Sequence, residues 1–210
     1  MKLNIKNLFG KTRKQQEVDE YWLQNLRVNV EHDREKVFMP YLLQKNVLHI
    51  GCTDYPIFDP ENNLHIHISK ITKSLDGMDV DVDGLKKLKN YYNGNYFSSM
   101  LDCKEKKYDT ILVPETIEHV ENIGMFLKEI ESLNAEHYII TGPNAFNEYV
   151  RNPYARSKDT FTEAIHPDHN CWFSPYTLKN VIEKYTNLRV DKIVLCNWEL
   201  MVVCICSKKK

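Results

Sequence analysis

The stretch YDTILVPETIEHVENIGMFLKEI, residues 108–130, places a short apolar run directly before a helical pattern. Ile111, Leu112 and Val113 follow one another without a polar break, as in a strand covered on both faces, and Pro114 stops the run. Beyond it Phe126, Leu127, Ile130 and Leu133 recur at i, i+1, i+4 and i+7, the apolar stripe of a helix. A buried strand followed by an amphipathic helix is half of a βαβ unit, so the rest of the chain must be searched for repeats of it.

The pattern recurs on both sides. Val47–Ile50 is a short β-rich run ending at Gly51, and Leu64–Leu75 predicts a helix followed by a strand through Gly77, Met78 and Asp79. VDGLKKLKNYY, residues 82–92, predicts a helix, and NYFSSMLDC, residues 95–103, a third strand ending near Asp102. Tyr138–Thr141 predicts a fifth strand, stopped by Gly142 and Pro143. Ser174-Pro175 supplies a cap and a first-turn proline for a helix buried through Leu178, Val181, Ile182 and Tyr185. The last two runs, Arg189–Leu195 and Met201–Cys206, are joined by CNWEL and predict a terminal hairpin. The fold class is therefore α/β: a doubly wound, Rossmann-like, mostly parallel sheet of seven strands with an antiparallel C-terminal hairpin.

Ahead of this core, residues Gln15–Leu43 predict one or two helices, with Val18, Tyr21, Trp22, Leu26 and Val30 as the apolar stripe and Pro40 as the interruption. This is a helical N-terminal extension, residues 1–45, whose Tyr21 and Trp22 would cover the cleft or form a homodimer contact. With 210 residues the chain forms a single domain, residues 1–210.

Composition narrows the function classes. A formal charge of -1 gives no global attraction to nucleic acid, and 42% hydrophobic with 27% charged residues is the balance of a soluble globular protein. No apolar run has signal-peptide or membrane-span length, so a cytoplasmic protein without membrane contact is expected. The six cysteines form no CxxC pair, which excludes a zinc ribbon and leaves reduced thiols as the expectation.

In an open parallel sheet, ligands bind beyond the carboxyl ends of the strands. Four such ends read HIGCTDYP (49–56), GMDVD (77–81), MLDCK (100–104) and VPETIEHVEN (113–122). A strand-end aspartate taken alone is ordinarily a turn residue; Asp79 and Asp102 gain meaning from their shared placement. A dinucleotide reading fails, because Gly51 has neither the partner glycines of G-x-G-x-x-G nor an acidic residue about 20 positions on.

In order and spacing, VLHIGC, GMDVD, YDTILVPETIEHVENIGMFL, IITGPNAF and HNCWFSPYTLKNVIEKY resemble the class I S-adenosylmethionine-dependent methyltransferases, especially small bacterial ones associated with glycan or secondary-metabolite pathways. The resemblance spans residues 47–185. It implies S-adenosylmethionine as cofactor, S-adenosylhomocysteine as product, and methyl transfer to a small-molecule, sugar or nucleotide-like acceptor. It also implies that Gly51, Cys52 and Thr53 meet the methionine part, Asp79 and Val80 the ribose, Asp102 and Cys103 the adenine, and Pro114 and Glu115 the cleft beside the sulfonium. The chain departs from the family pattern at His49, Thr53 and Tyr55, where that pattern has an acidic residue and two glycines. An active enzyme and a binding module that has lost transfer both remain open.

For a hydroxyl acceptor a base is needed, and His166 and His169 in AIHPDHNCWF lie in an acceptor-side excursion, residues 144–173. A further resemblance concerns Glu115, Glu118, His119 and His169. Their pattern is similar to the metal-binding set of small-RNA terminal 2'-O-methyltransferases, which implies a divalent ion on a ribose diol, a secondary expectation beside the metal-free one. Phe146, Tyr149, Tyr154, Phe161, Trp172 and Phe173, with Arg151 and Arg156, suit a sugar, nucleotide or anionic acceptor as well as a packed loop.

Overall fold

Strands whose successive side chains are all apolar need cover on both faces, and the helices between them provide it. The structure is a computed structural model that describes residues 23–147, 159 and 165–209. In chain order it runs β1 (Asn29–Glu31), α1 (Arg34–Leu42), β2 (Asn46–Ile50), α2 (Leu64–Ser69), β3 (Ser74–Met78), α3 (Val82–Leu88) and β4 (Tyr96–Phe97). It continues with a 3-10 turn (Met100–Cys103), β5 (Lys107–Val113), α4 (Ile123–Ser132), β6 (Asn134–Pro143), α5 (Pro175–Tyr185), β7 (Leu188–Cys196) and β8 (Met201–Lys208).

One sheet holds the eight strands in the order β1-β7-β8-β6-β5-β2-β3-β4. The strands from β2 to β6 pair in parallel, β8 lies antiparallel to both β6 and β7, and β1 adds in parallel to β7. Alternation then sorts the core. Leu48, Ile50, Ile111, Val113 and Ile140 pack with Leu127 and Ile130 of α4 and Leu178 and Ile182 of α5. Their neighbours Val47, Leu112, Ile139 and Val203 pack on the other face with Val37, Phe38 and Leu42 of α1 and Leu64 and Ile68 of α2. Each fully buried Leu or Ile contributes roughly 1.5–3 kcal/mol, so these two layers dominate the stability of the fold.

The α/β class and the terminal hairpin match the expectation, and three details differ. An eighth strand, β1, lies inside the segment read as helix; Val30 pairs with Leu195 and is 53% exposed instead of forming a buried stripe. Pro40 lies inside α1 without breaking it, because the helix ends two residues later and only one internal donor is lost. The third strand is short: β4 covers Tyr96–Phe97, and Asp102 sits on the following 3-10 turn. Tyr21 and Trp22 lie outside the described residues. Among the described residues no helix is long and apolar enough to cross a membrane.

Candidate active site

The first loop leaves β2 at Gly51, whose φ of +74° places it in the region that glycine adopts most readily. A side chain there would also run into Thr116 on the neighbouring strand end. The next residues are bulky where flat ones were expected, and the surroundings make room for them. A Cβ on Gly77 would come within 2.9 Å of Cys52 Sγ, and one on Gly84 within 2.6 Å of Thr53 Cβ. Asp54 takes a positive φ of 55°, and Asn63 Nδ2 donates to its Oδ2 at 2.8 Å. Aspartate tolerates this conformation better than most residues do.

Asp79 ties this loop to the end of β3. Its Oδ2 accepts from both the Thr53 amide (3.0 Å) and the Thr53 hydroxyl (2.9 Å), and its Oδ1 accepts from the Asp81 amide (3.0 Å). The loop is thus held by a carboxylate rather than by glycine flexibility.

Gly51, Asp54 and Tyr55 from this loop, Asp79 and Val80 after β3, and Pro114, Glu115 and Thr116 after β5 line a single cavity of about 610 Å³. His119 and Asp168 form its far edge. Arg34, the first residue of α1, also lines it and is the one lysine or arginine among the described residues that does. Cys52 and Thr53 are buried behind the lining, and burial pushes the Cys52 thiol up, out of the range where it ionises.

The chain after β5 turns sharply. Glu115 adopts φ 42°, its amide donates to Thr141 Oγ1 at 2.9 Å, and that hydroxyl donates back to Glu115 Oε1 at 2.7 Å. Holding a non-glycine residue there costs about 1–2 kcal/mol, which these two bonds offset. Three residues on, Glu118 is fully buried, and neither carboxylate oxygen has a hydrogen-bond partner among the described residues. Desolvation raises the pKa of Glu115, and desolvation together with the charge of Glu115 raises that of Glu118.

Three histidines gather beside Glu118. The rings of His119 and His169 meet edge to face at 4.6 Å, those of His119 and His166 at 5.2 Å, and His169 Nε2 lies 3.9 Å from Glu118 Oε1. Burial, followed by the neighbouring imidazoles, lowers the pKa of His169; burial, followed by His166, lowers that of His119. Asn170 holds the two segments together. Its amide donates to the Glu118 carbonyl at 2.8 Å, and its side chain donates to the carbonyls of His119 and Val120 at 3.2 and 3.5 Å.

Of the residues expected from the sequence, Gly51, Asp79, Val80, Pro114 and Glu115 converge on the cavity, with His166 and His169 beside its edge. Asp102 and Cys103 do not line it: Asp102 is exposed and Cys103 is buried in the core. Phe173 is also a core residue, packed against Gly142, and Phe146 is 62% exposed. Tyr149, Arg151, Tyr154, Arg156 and Phe161 lie outside the described residues. Within the set read as metal-binding, Glu115 is engaged by Thr141, and His166 joins the histidines in its place. Sequence reading missed Arg34, whose position depends on α1 folding over the cleft, and Asn170, whose partners lie about 50 residues away.

No protein-family model matches the sequence, and no curated protein matches it. Solved structures do match in shape. A SAM-dependent methyltransferase from Aquifex aeolicus aligns with a TM-score of 0.58 at 15% identity, over 85% of this chain and 90% of that one. An S-adenosylmethionine-dependent methyltransferase from Mesorhizobium loti aligns with a TM-score of 0.57 at 8% identity, over 83% and 96%. The N-methyltransferase NodS from Bradyrhizobium japonicum, in complex with S-adenosyl-L-homocysteine, aligns with a TM-score of 0.53 at 13% identity, over 84% and 86%. The chain has the fold of the S-adenosylmethionine-dependent methyltransferases.

Proposed function

We propose that this chain binds S-adenosylmethionine in the cavity at the carboxyl ends of β2, β3 and β5 and transfers its methyl group to an oxygen of a small-molecule, sugar or nucleotide-like acceptor. The observation that carries this reading is the convergence of Gly51, Asp79 and Pro114–Thr116 on one cavity, in a fold shared with methyltransferases.

Each residue has a part that its surroundings allow. Gly51 lets backbone approach the methionine moiety. Asp79 already accepts three hydrogen bonds, so of the roughly four lone-pair positions of a carboxylate one remains, on Oδ1, for a single ribose hydroxyl rather than for both. Arg34 supplies the positive charge that the methionine carboxylate requires. Transfer is a direct displacement: the acceptor oxygen bonds to the methyl carbon as the carbon–sulfur bond breaks, and the hydroxyl proton passes to the polar edge formed by His119, His166 and His169.

Calorimetry with S-adenosylmethionine tests the reading. One-site binding is expected, and Asp79→Ala should weaken it ten- to hundredfold, the loss of a hydrogen bond to a charged group. No binding to the unaltered chain overturns the proposal, and unchanged affinity in the variant removes the ribose role. Binding without release of S-adenosylhomocysteine across a panel of hydroxylated acceptors points to the binding module instead.

A further inference from the structure

We infer that Trp198, in the turn between β7 and β8, is a stacking platform for an uncharged pyranose ring of the acceptor. The inference rests on the methyl-transfer reading for what happens in the cavity, but ring binding is measured without the methyl donor.

The turn holds its residues in an unfavourable conformation. Asn197, Trp198 and Glu199 adopt φ values of 50°, 56° and 62°, three consecutive non-glycine residues in the left-handed region. Each costs free energy that a glycine in its place would not. Two asparagines, each 4% exposed, hold the turn: Asn144 Nδ2 donates to the Glu199 carbonyl at 2.8 Å, and Asn147 Nδ2 donates to the Trp198 carbonyl at 2.9 Å. The side chain so displayed is an indole that is 63% exposed. Strain held in place by buried polar groups, with a large aromatic ring turned to water, points to a partner for that ring.

One face of the ring is already supported. His32 stacks on the indole with ring centroids 4.9 Å apart and planes 24° from parallel, and among the described residues it is the one ring that does. The indole is therefore preset, with its other face open, and loses little freedom when a ligand lies on it.

The platform stands beside the cavity. β1 and β7 run parallel, so His32 and Asn197 leave the sheet at one edge, and β6, β5, β2 and β3 end at that same edge. Arg34 lines the cavity only two residues after His32, a span of at most about 7 Å along the chain. A ring on Trp198 therefore lies at the mouth of the space in which the methyl group moves.

The surroundings select the kind of ring. The face of an indole is electronegative and apolar, which suits the C–H face of a pyranose. Sugar hydroxyls at the rim need acceptors, and exposed Glu199 adjoins the ring. A nucleobase would stack equally well but brings phosphate with it. Here Glu199, Glu31, which lies opposite Cys196 across the β1–β7 pair, and Asp33, whose amide donates to Glu31 Oε1 at 3.1 Å, face only Arg34 and Lys36, the latter 3.7 Å from Asp33. The platform thus has no surplus positive charge with which to hold a phosphate.

The test follows the indole N–H signals of the full chain by NMR during titration with the methyl pyranosides of glucose, galactose, mannose, rhamnose and N-acetylglucosamine, and with adenosine monophosphate. At least one pyranoside should shift the Trp198 signal at about millimolar concentration and spare that of Trp172, with saturation transfer to the C–H protons of one sugar face. Trp198→Gly, which suits the φ of this position, should weaken that binding roughly tenfold or more without lowering the melting temperature, and Trp198→Phe should keep most of it. S-adenosylmethionine affinity should be the same in all three chains. If no pyranoside moves the Trp198 signal while S-adenosylmethionine binds, the platform is overturned and the methyl-donor reading stands; the reverse pattern overturns only that reading. Tighter binding of adenosine monophosphate at Trp198 than of every pyranoside overturns the sugar assignment. A lower melting temperature in Trp198→Gly makes the ring a packing element, and dissociation of a dimer by this substitution makes it a contact between copies of the chain; either result overturns the proposal.

Discussion

Two groups of histidines in the molecule, one at residues 49 and 65 and one at residues 119, 166 and 169, behave differently. His49 on β2 and His65 on α2 are completely buried, stacked at 5.4 Å, with their Nδ1 atoms 3.3 Å apart. Among the described residues neither has a carboxylate in hydrogen-bond contact, and neither lines the cavity. Burial is the main cause that depresses both pKa values, well down for His49 and to about 4 for His65, where Asp76 acts weakly in the other direction. Such a pair is a piece of neutral core in which one ring donates and the other accepts. The group at 119, 166 and 169 has the same side chains but is only partly buried, converges on a carboxylate and borders a cavity. Proximity of histidines does not distinguish a site from packing; access and the partner do.

The largest effect that would break this comparison is on acid stability. Histidines with depressed folded-state pKa values leave the folded chain binding fewer protons than the unfolded one below about pH 6.5. The stability contributed by this pair should therefore fall, by on the order of 3 kcal/mol between about pH 6.5 and pH 4, against the opposite contribution of Glu115 and Glu118, whose raised pKa values favour the folded chain as pH falls. Urea unfolding of the unaltered chain and of a His49→Leu/His65→Leu variant across that range measures it as the difference between their two slopes. An unaltered slope in the variant means the core pair is not the neutral element described.

A smaller effect sharpens the other side. Asn170→Ala removes the side-chain bonds that hold His119 beside His166 and His169, and should cost about 1 kcal/mol in stability. It should change S-adenosylmethionine affinity less than about twofold, because Asn170 does not line the cavity. A tenfold loss of S-adenosylmethionine affinity would mean the clamp supports the whole cleft. The smallest effect is the control: in the His49→Leu/His65→Leu chain, S-adenosylmethionine affinity measured at pH 7 should stay within about twofold, since neither histidine lines the cavity.

Much of the fold could be read from local pattern. The Ile111–Val113 run, the α4 stripe and the Ser174 cap are signals contained within a few residues, and each element formed where expected. Strand β1 carried no such signal, because Asn29–Glu31 is three residues long, mostly exposed, and becomes a strand only by pairing with residues 194–196. The candidate site divides the same way. Strand ends announce Gly51, Asp79 and Glu115, since topology alone brings them to one side. Arg34 and the joining of His166 to His119 depend on contacts between segments far apart in sequence, which periodicity does not report.

The clearance given to Cys52 and Thr53 by Gly77 and Gly84 makes substitution at these positions a matter of couples. A side chain at 84 demands that 53 shrink and that the Asp81 carboxylate turn aside, while a glycine at 53 alone would leave a void against Gly84 and release the hydroxyl that steadies Asp79. Here the smallness that a donor-binding loop needs is divided between the loop and its backing. Viable sequences of this fold therefore trade volume across a spatial contact, and a loop graft that places glycines at 53 and 55 would need its wall rebuilt in the same step.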